Sequence, residues 1–88
     1  MYSYELRRSV EKIFFKLAKR DQKQLKIIEK KIAEIAQDPH RYKNLRGPLQ
    51  RFKRVHIDKS FVLLFSIDEK NKKVIVENYD HHDDIYKR

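Results

Sequence analysis

The chain has 88 residues, enough for one domain with a single core and no second module. Lys and Arg number 22 against 13 Asp and Glu, a formal net charge of +9 at pH 7, while apolar residues make up 40% of the chain and include five Phe and five Tyr. That mixture excludes a disordered polyelectrolyte, which combines high charge with few large apolar groups, and the absence of cysteine excludes disulfides, thiolate metal sites and cysteine nucleophiles.

The residues after Met1 (Tyr2, Ser3, Tyr4, Glu5) do not read as a signal peptide, and the longest apolar run, 61–65, is far too short to span a bilayer. The expectation is one cytoplasmic domain over residues 1–88 with no membrane partner, whose charge points to a polyanion. Tyr2, Tyr4 and Leu6 alternate with Ser3, Glu5 and Arg7, which predicts a short strand with one buried face. Ser9 is the expected N-cap of a first helix carrying Val10, Ile13, Phe14 and Leu17 on one side. Asp21 and Gln24 have capping-box spacing and open a second helix with a stripe of Leu25, Ile28, Ile32 and Ile35. Asp38, before Pro39, ends it, because a residue preceding proline avoids helical dihedrals. The chain's one glycine, Gly47, and its two prolines, Pro39 and Pro48, fall together in the connection that follows. Three strand-like stretches come next: Arg51–Ile57, Phe61–Ile67 and Lys73–Tyr79. The short turns between them predict an antiparallel meander. Phe61–Phe65, apolar on both faces, should lie centrally.

The fold class is therefore α+β, in the order β-α-α-β-β-β. An N-terminal strand is followed by an antiparallel helical hairpin packed on one face of a small, mainly antiparallel sheet. Neither helix is left to cover the other face, which is where function is expected.

Two segments carry chemistry. Between residues 41 and 59, Arg41, Lys43, Arg46, Arg51, Lys53, Arg54 and Lys59 are opposed only by Asp58. Alternation puts Val55 and Ile57 against the helices and turns Arg54 and His56 outward. Most charge runs are simply solvated surface; the concentration around one strand and its preceding loop favours phosphate contact. The second segment is Tyr79-Asp80-His81-His82-Asp83-Asp84-Ile85-Tyr86. Adjacent histidines on an extended chain point apart and no spaced third ligand follows, which weighs against a metal site. An acid–base role for the histidines and a polar C-terminal turn of no function both remain open. Tyr86 offers a proton donor or a base-stacking ring.

These residues together resemble the RelE/ParE superfamily, the toxins of type II toxin–antitoxin modules. The resemblance rests on the element order, the Leu25–Ile35 stripe ending at Asp38-Pro39, and Asn44-Leu45-Arg46-Gly47. It continues through Arg51-Phe52-Lys53-Arg54-Val55-His56-Ile57, Phe61–Asp68 and the ending His81–Tyr86. It implies ribosome-dependent cleavage of mRNA without metal or other cofactor, by a metal-independent endoribonuclease that turns the ribose 2′-hydroxyl on the neighbouring phosphate. The partners it implies are a cognate RelB-like antitoxin, in a toxin–antitoxin hetero-oligomer, and the ribosome with its message. Carried over by position, the strand cations fall on Lys53 and Arg54, the C-terminal tyrosine on Tyr86, and the C-terminal basic position on His82 beside His81. The family's arginine early in the middle strand is Val62 here, so one phosphate-stabilising charge is missing and His56 is the candidate to compensate. YafQ-like members are similar at His56 and His82, although their strand-turn aspartate is Ser60 here. The expected catalytic set is thus Arg54, His56, His81, His82 and Tyr86, with RNA contacts from Arg46, Arg51, Lys53 and Lys59 and no metal. The competing readings are a ParE-like toxin that binds DNA gyrase and a basic RNA-binding module without catalysis.

Overall fold

A computed structural model describes residues 1–81. Strand β1 (Ser3–Leu6) leads into helices α1 (Arg8–Arg20) and α2 (Gln22–Gln37). Short 3₁₀ turns at Pro39–Arg41 and Gly47–Leu49 follow, then strands β2 (Lys53–Ile57), β3 (Phe61–Asp68) and β4 (Lys73–His81). The sheet order is β1-β4-β3-β2; β1 runs parallel to β4 and the other pairs are antiparallel. The α+β arrangement is the one the sequence predicts, with β3 enclosed by β2 and β4 as its apolar character requires.

Both helices bury their stripes on one face of the sheet. Val10, Phe14, Ile28, Ile32 and Ile35 meet Val55, Ile57, Leu63, Phe65, Val74, Val76 and Tyr79 in a single core. Asp21 caps α2 by accepting from the Gln24 backbone N–H at 3.0 Å, but the reciprocal half of the capping box is not made. The Gln24 side chain donates instead to the Tyr79 hydroxyl at 2.9 Å, tying the start of α2 to β4. Helix α1 starts one residue before the expected cap. Arg7 occupies the N-cap with extended backbone and no side-chain cap bond, leaving Ser9 inside the first turn. Tyr2 and Leu6 pack on the core, whereas Tyr4, expected on the same buried face, is 55% exposed because β1 is an edge strand.

Two departures shape the region of interest. Strand β2 begins at Lys53 rather than Arg51. Gly47, at a φ of 67°, opens a turn in which the Phe52 amide bonds back to the Leu49 carbonyl at 2.9 Å. Phe52 is thereby directed, with Leu45, onto Val62 and Leu64 on the sheet's second face. The other departure is a bulge in β4. Leu64 pairs with Asn78 and Phe65 with Val76, so Glu77 is the extra residue. Its carboxylate accepts from Ser66 Oγ at 2.6 Å and Arg7 Nε at 2.9 Å. Burial raises the Glu77 pKa, but these hydrogen bonds prevail and leave it below the usual carboxylate value.

Candidate nucleic-acid interface

Strand β2 alternates strictly: Lys53, Val55 and Ile57 are buried while Arg54 and His56 are exposed on the opposite face. Residues directly paired across antiparallel strands share a face, so the register defines two rungs on that side. Arg54 lines up with Leu64 and Asn78, and His56 with Val62 and Asp80. Neither α1 nor α2 packs there; Leu45 and Phe52 cover the central Val62 and Leu64. A groove of about 370 Å³ lies along this side, lined by Lys43, Asn44, Leu45, Arg46 and Arg54. Among the described residues, three that line it are cations and none is acidic. A concave, basic site with a strand histidine nearby is suited to holding a phosphate diester and moving a proton close to it.

The other expected residues divide by position. Arg51 lies in the turn before β2 with its guanidinium 4.8 Å from the Phe52 ring centroid, and Lys59 sits exposed in the β2–β3 turn. Lys53, expected among the RNA contacts, is placed differently. It is 9% exposed on the helix-side face, and its ammonium donates to the Tyr42 carbonyl and to Asn44 Oδ1, both at 2.7 Å. His81 is also displaced from the expected cluster. It pairs with Phe61, which pairs with Ile57, and this places it on the helix side with its ring edge-on to Phe61 at 5.6 Å. The bulge is the cause: the extra Glu77 shifts the alternation of β4, turning Asp80 toward the His56 face and His81 away from it. Asp80 and His56 stand two strand spacings apart, roughly 10 Å across the sheet. His82 and Tyr86 lie outside the described residues.

Asn44 is a residue that the sequence reading did not single out for the site. Its amide nitrogen donates to the Gln50 carbonyl at 2.7 Å while its oxygen accepts from Lys53, so it pins the loop that carries Lys43 and Arg46. The isolated bridge between Asn44 and Lys53 marks the same attachment in the backbone.

No family model matches the chain. A protein of Methanocaldococcus jannaschii named "Putative toxin RelE4" is 62% identical over 88 residues, covering 100% of this chain and 94% of that protein. Among solved structures, the toxin–antitoxin complex RelBE2 from Mycobacterium tuberculosis superposes with a TM-score of 0.75 at 22% identity, over 92% of this chain and 98% of the other. The YoeB/ParE toxin from Agrobacterium tumefaciens gives a TM-score of 0.81 at 12% identity, over 91% and 98%. The fold is thus shared with toxins far apart in sequence, and the full-length identity to the methanogen protein fixes the assignment: the chain belongs to the RelE/ParE superfamily of toxins from toxin–antitoxin modules.

Proposed function

We propose that the chain arrests translation by cleaving mRNA on the ribosome and is held in check by a cognate RelB-like antitoxin. The observation that carries this reading is the joint exposure of Arg54 and His56 on one strand face, beside the groove that Lys43 and Arg46 line with Arg54. Cleavage through the ribose 2′-hydroxyl requires a base to take its proton as the oxygen attacks phosphorus. It also requires cations for the negative charge of the phosphorane, and an acid to protonate the departing 5′-oxygen. His56 is the proton-transfer group on the open face, and Arg54 carries the phosphorane charge. Lys43 and Arg46 hold the flanking backbone and offset the cation missing at Val62. The C-terminal His82 and Tyr86 complete the proposed set as the second proton-transfer group and a stacking ring.

The test is a cell-free translation reaction supplied with purified full-length protein, with the message mapped for cleavage. Translation stops and ribosome-bound message is cut; His56→Ala lowers the cleavage rate by about 10²–10⁴-fold, the range of a general acid–base group. Intact message with translation unaffected, together with inhibition of DNA supercoiling by purified gyrase, would overturn this reading in favour of the gyrase-binding one.

A further inference from the structure

We propose that Lys53 is a positioning residue: its buried ammonium fixes the Tyr42–Asn44 segment against β2 so that Lys43, Arg46 and Arg54 form one phosphate-binding cleft. The inference rests on the RNA-binding reading of that face and concerns how the face is built. Lys53 occupies a position that alternation assigns to the core, alongside Val55 and Ile57. A lysine there costs desolvation that an apolar side chain would avoid. The two acceptors that meet its ammonium, a backbone carbonyl and an amide oxygen, are both neutral and both belong to the 42–44 segment. Lys43 lies between them.

The surrounding bonds show what the tie holds. The Leu45 amide donates to the Phe52 carbonyl at 2.9 Å and the Arg54 amide to the Lys43 carbonyl at 3.4 Å. Asn44 meanwhile reaches across to the Gln50 carbonyl. With Lys53 in the middle, the segment 42–45 is laced to the chain entering β2, and residues 43–46 line the groove together with Arg54. Without the ammonium, the charges of Lys43 and Arg46 persist but their common geometry does not.

The experiment measures binding of the full chain to a single-stranded oligonucleotide with 2′-O-methyl riboses, which cannot be cut, between 50 and 200 mM salt. Two variants are compared with wild type: Lys53→Met, and Asn44→Ala, which removes an acceptor of the tie but no charge. Each phosphate contact on a single strand contributes roughly 0.7 to the slope of log affinity against log salt. A direct contact by Lys53 would lower the slope by about 0.7 in Lys53→Met and leave it unchanged in Asn44→Ala. A positioning role lowers it by about 1.4 in Lys53→Met, because the Lys43 and Arg46 contacts go together, and lowers it in Asn44→Ala as well. In Lys53→Met, a further Lys43→Ala change then has little added effect, the non-additivity expected of groups acting as a unit. Amide exchange of the free protein supplies an independent readout. The Leu45 and Arg54 amides lose protection in both variants while Leu63 and Phe65 keep theirs. An unchanged slope in Asn44→Ala with unchanged exchange at Leu45 and Arg54 would overturn the inference. Wild-type protein that binds no oligonucleotide would instead remove the RNA-binding reading, and the exchange comparison would still decide whether Lys53 holds the loop.

Discussion

Glu69 gathers donors from three separate parts of the chain: Lys72 in its own turn, His40 after α2, and Tyr2 ahead of β1. The His40 ring nitrogen lies at 2.6 Å and the Tyr2 hydroxyl at 2.8 Å and 2.9 Å from the two carboxylate oxygens, with the Lys72 ammonium also bonded. The Lys72, His40 and Tyr2 hydrogen bonds, in that order, pull the Glu69 pKa from 4.5 down to about 2. A carboxylate with a depressed folded pKa stabilises the fold fully above its unfolded value and loses that contribution as pH falls through the folded value. The expected result is that acidification from about pH 4.5 to about 2 weakens wild type more steeply than Glu69→Gln, as read by thermal melts across that range. The carboxylate is half-exposed, so the difference is small. Equal pH dependence in the two proteins would show that the clasp contributes nothing. At this scale the sequence was only partly legible. The outward turn of Arg54 and His56 follows from alternation, and the same rule puts Lys53 among the core positions. Its positive charge suggested a surface contact instead. The Glu69 clasp joins residues too far apart in sequence for any local pattern to reveal.

Among the elements, α2 is the clearest case of pattern fixing structure. Ile28 is fully buried and Ile35 is 1% exposed, whereas Ile27, off the stripe, is 37% exposed. Ile28→Ala should cost about 2–5 kcal/mol of unfolding free energy through lost burial and the cavity left behind. Ile27→Ala should stay within about 0.5 kcal/mol, as surface changes do. Urea denaturation of both variants checks the contrast, and equal losses would contradict the assigned helix face. The loop before β2 gives a second expectation. Gly47 has a φ of 67°, and among the described residues no atom beyond its chain neighbours lies within 4 Å of where a Cβ would stand, so Gly47→Ala meets backbone strain without a clash. A loss of about 1–2 kcal/mol is expected in the same assay. Helix and strand identities were legible because periodicity is local. The β4 bulge was not, because an extra residue shows itself only through the partner strand. The bulge sets the face of His81, which lay beyond the strand expected at Lys73–Tyr79: unbroken alternation from Val74 would turn His81 toward His56, and the extra Glu77 puts Asp80 there instead. The start of β2 was misplaced for a related reason, since Phe52 reads as strand but folds back onto Val62 and Leu64.

Across the whole molecule, a net charge of +9 is divided between a basic sheet side and helices whose outer faces are also rich in Lys and Arg. A partner that neutralises such a surface has to be acidic and able to wrap, as segments that fold on binding do. Co-expression with a RelB-like antitoxin should therefore give a stable complex of lower net charge and, on the proposed function, relieve translation arrest. Ion-exchange elution checks the first point and the cell-free assay the second; failure to co-purify would remove the antitoxin from the account. The element order and the central place of β3 were legible in the chain, because a strand apolar on both faces has only one kind of position to occupy. The pairing of β1 was not, since nothing local marks its partner.

That pairing sets a schedule for folding. Strand β1 is made first, yet every residue it pairs with, from Lys73 to Val76, is among the last sixteen positions of the chain. The helical hairpin forms from near neighbours, whereas closing β1 onto β4 brings together residues separated by almost the whole sequence, the kind of contact that slows folding. Until β4 has been synthesised, the core lacks Val74, Val76 and Tyr79, and β3 presents a bare edge. Arg54 and His56 by then are already in place in the chain, but the sheet that would array them is not. The cationic face is thus incomplete as a folded surface until β4 has been synthesised and paired with β3.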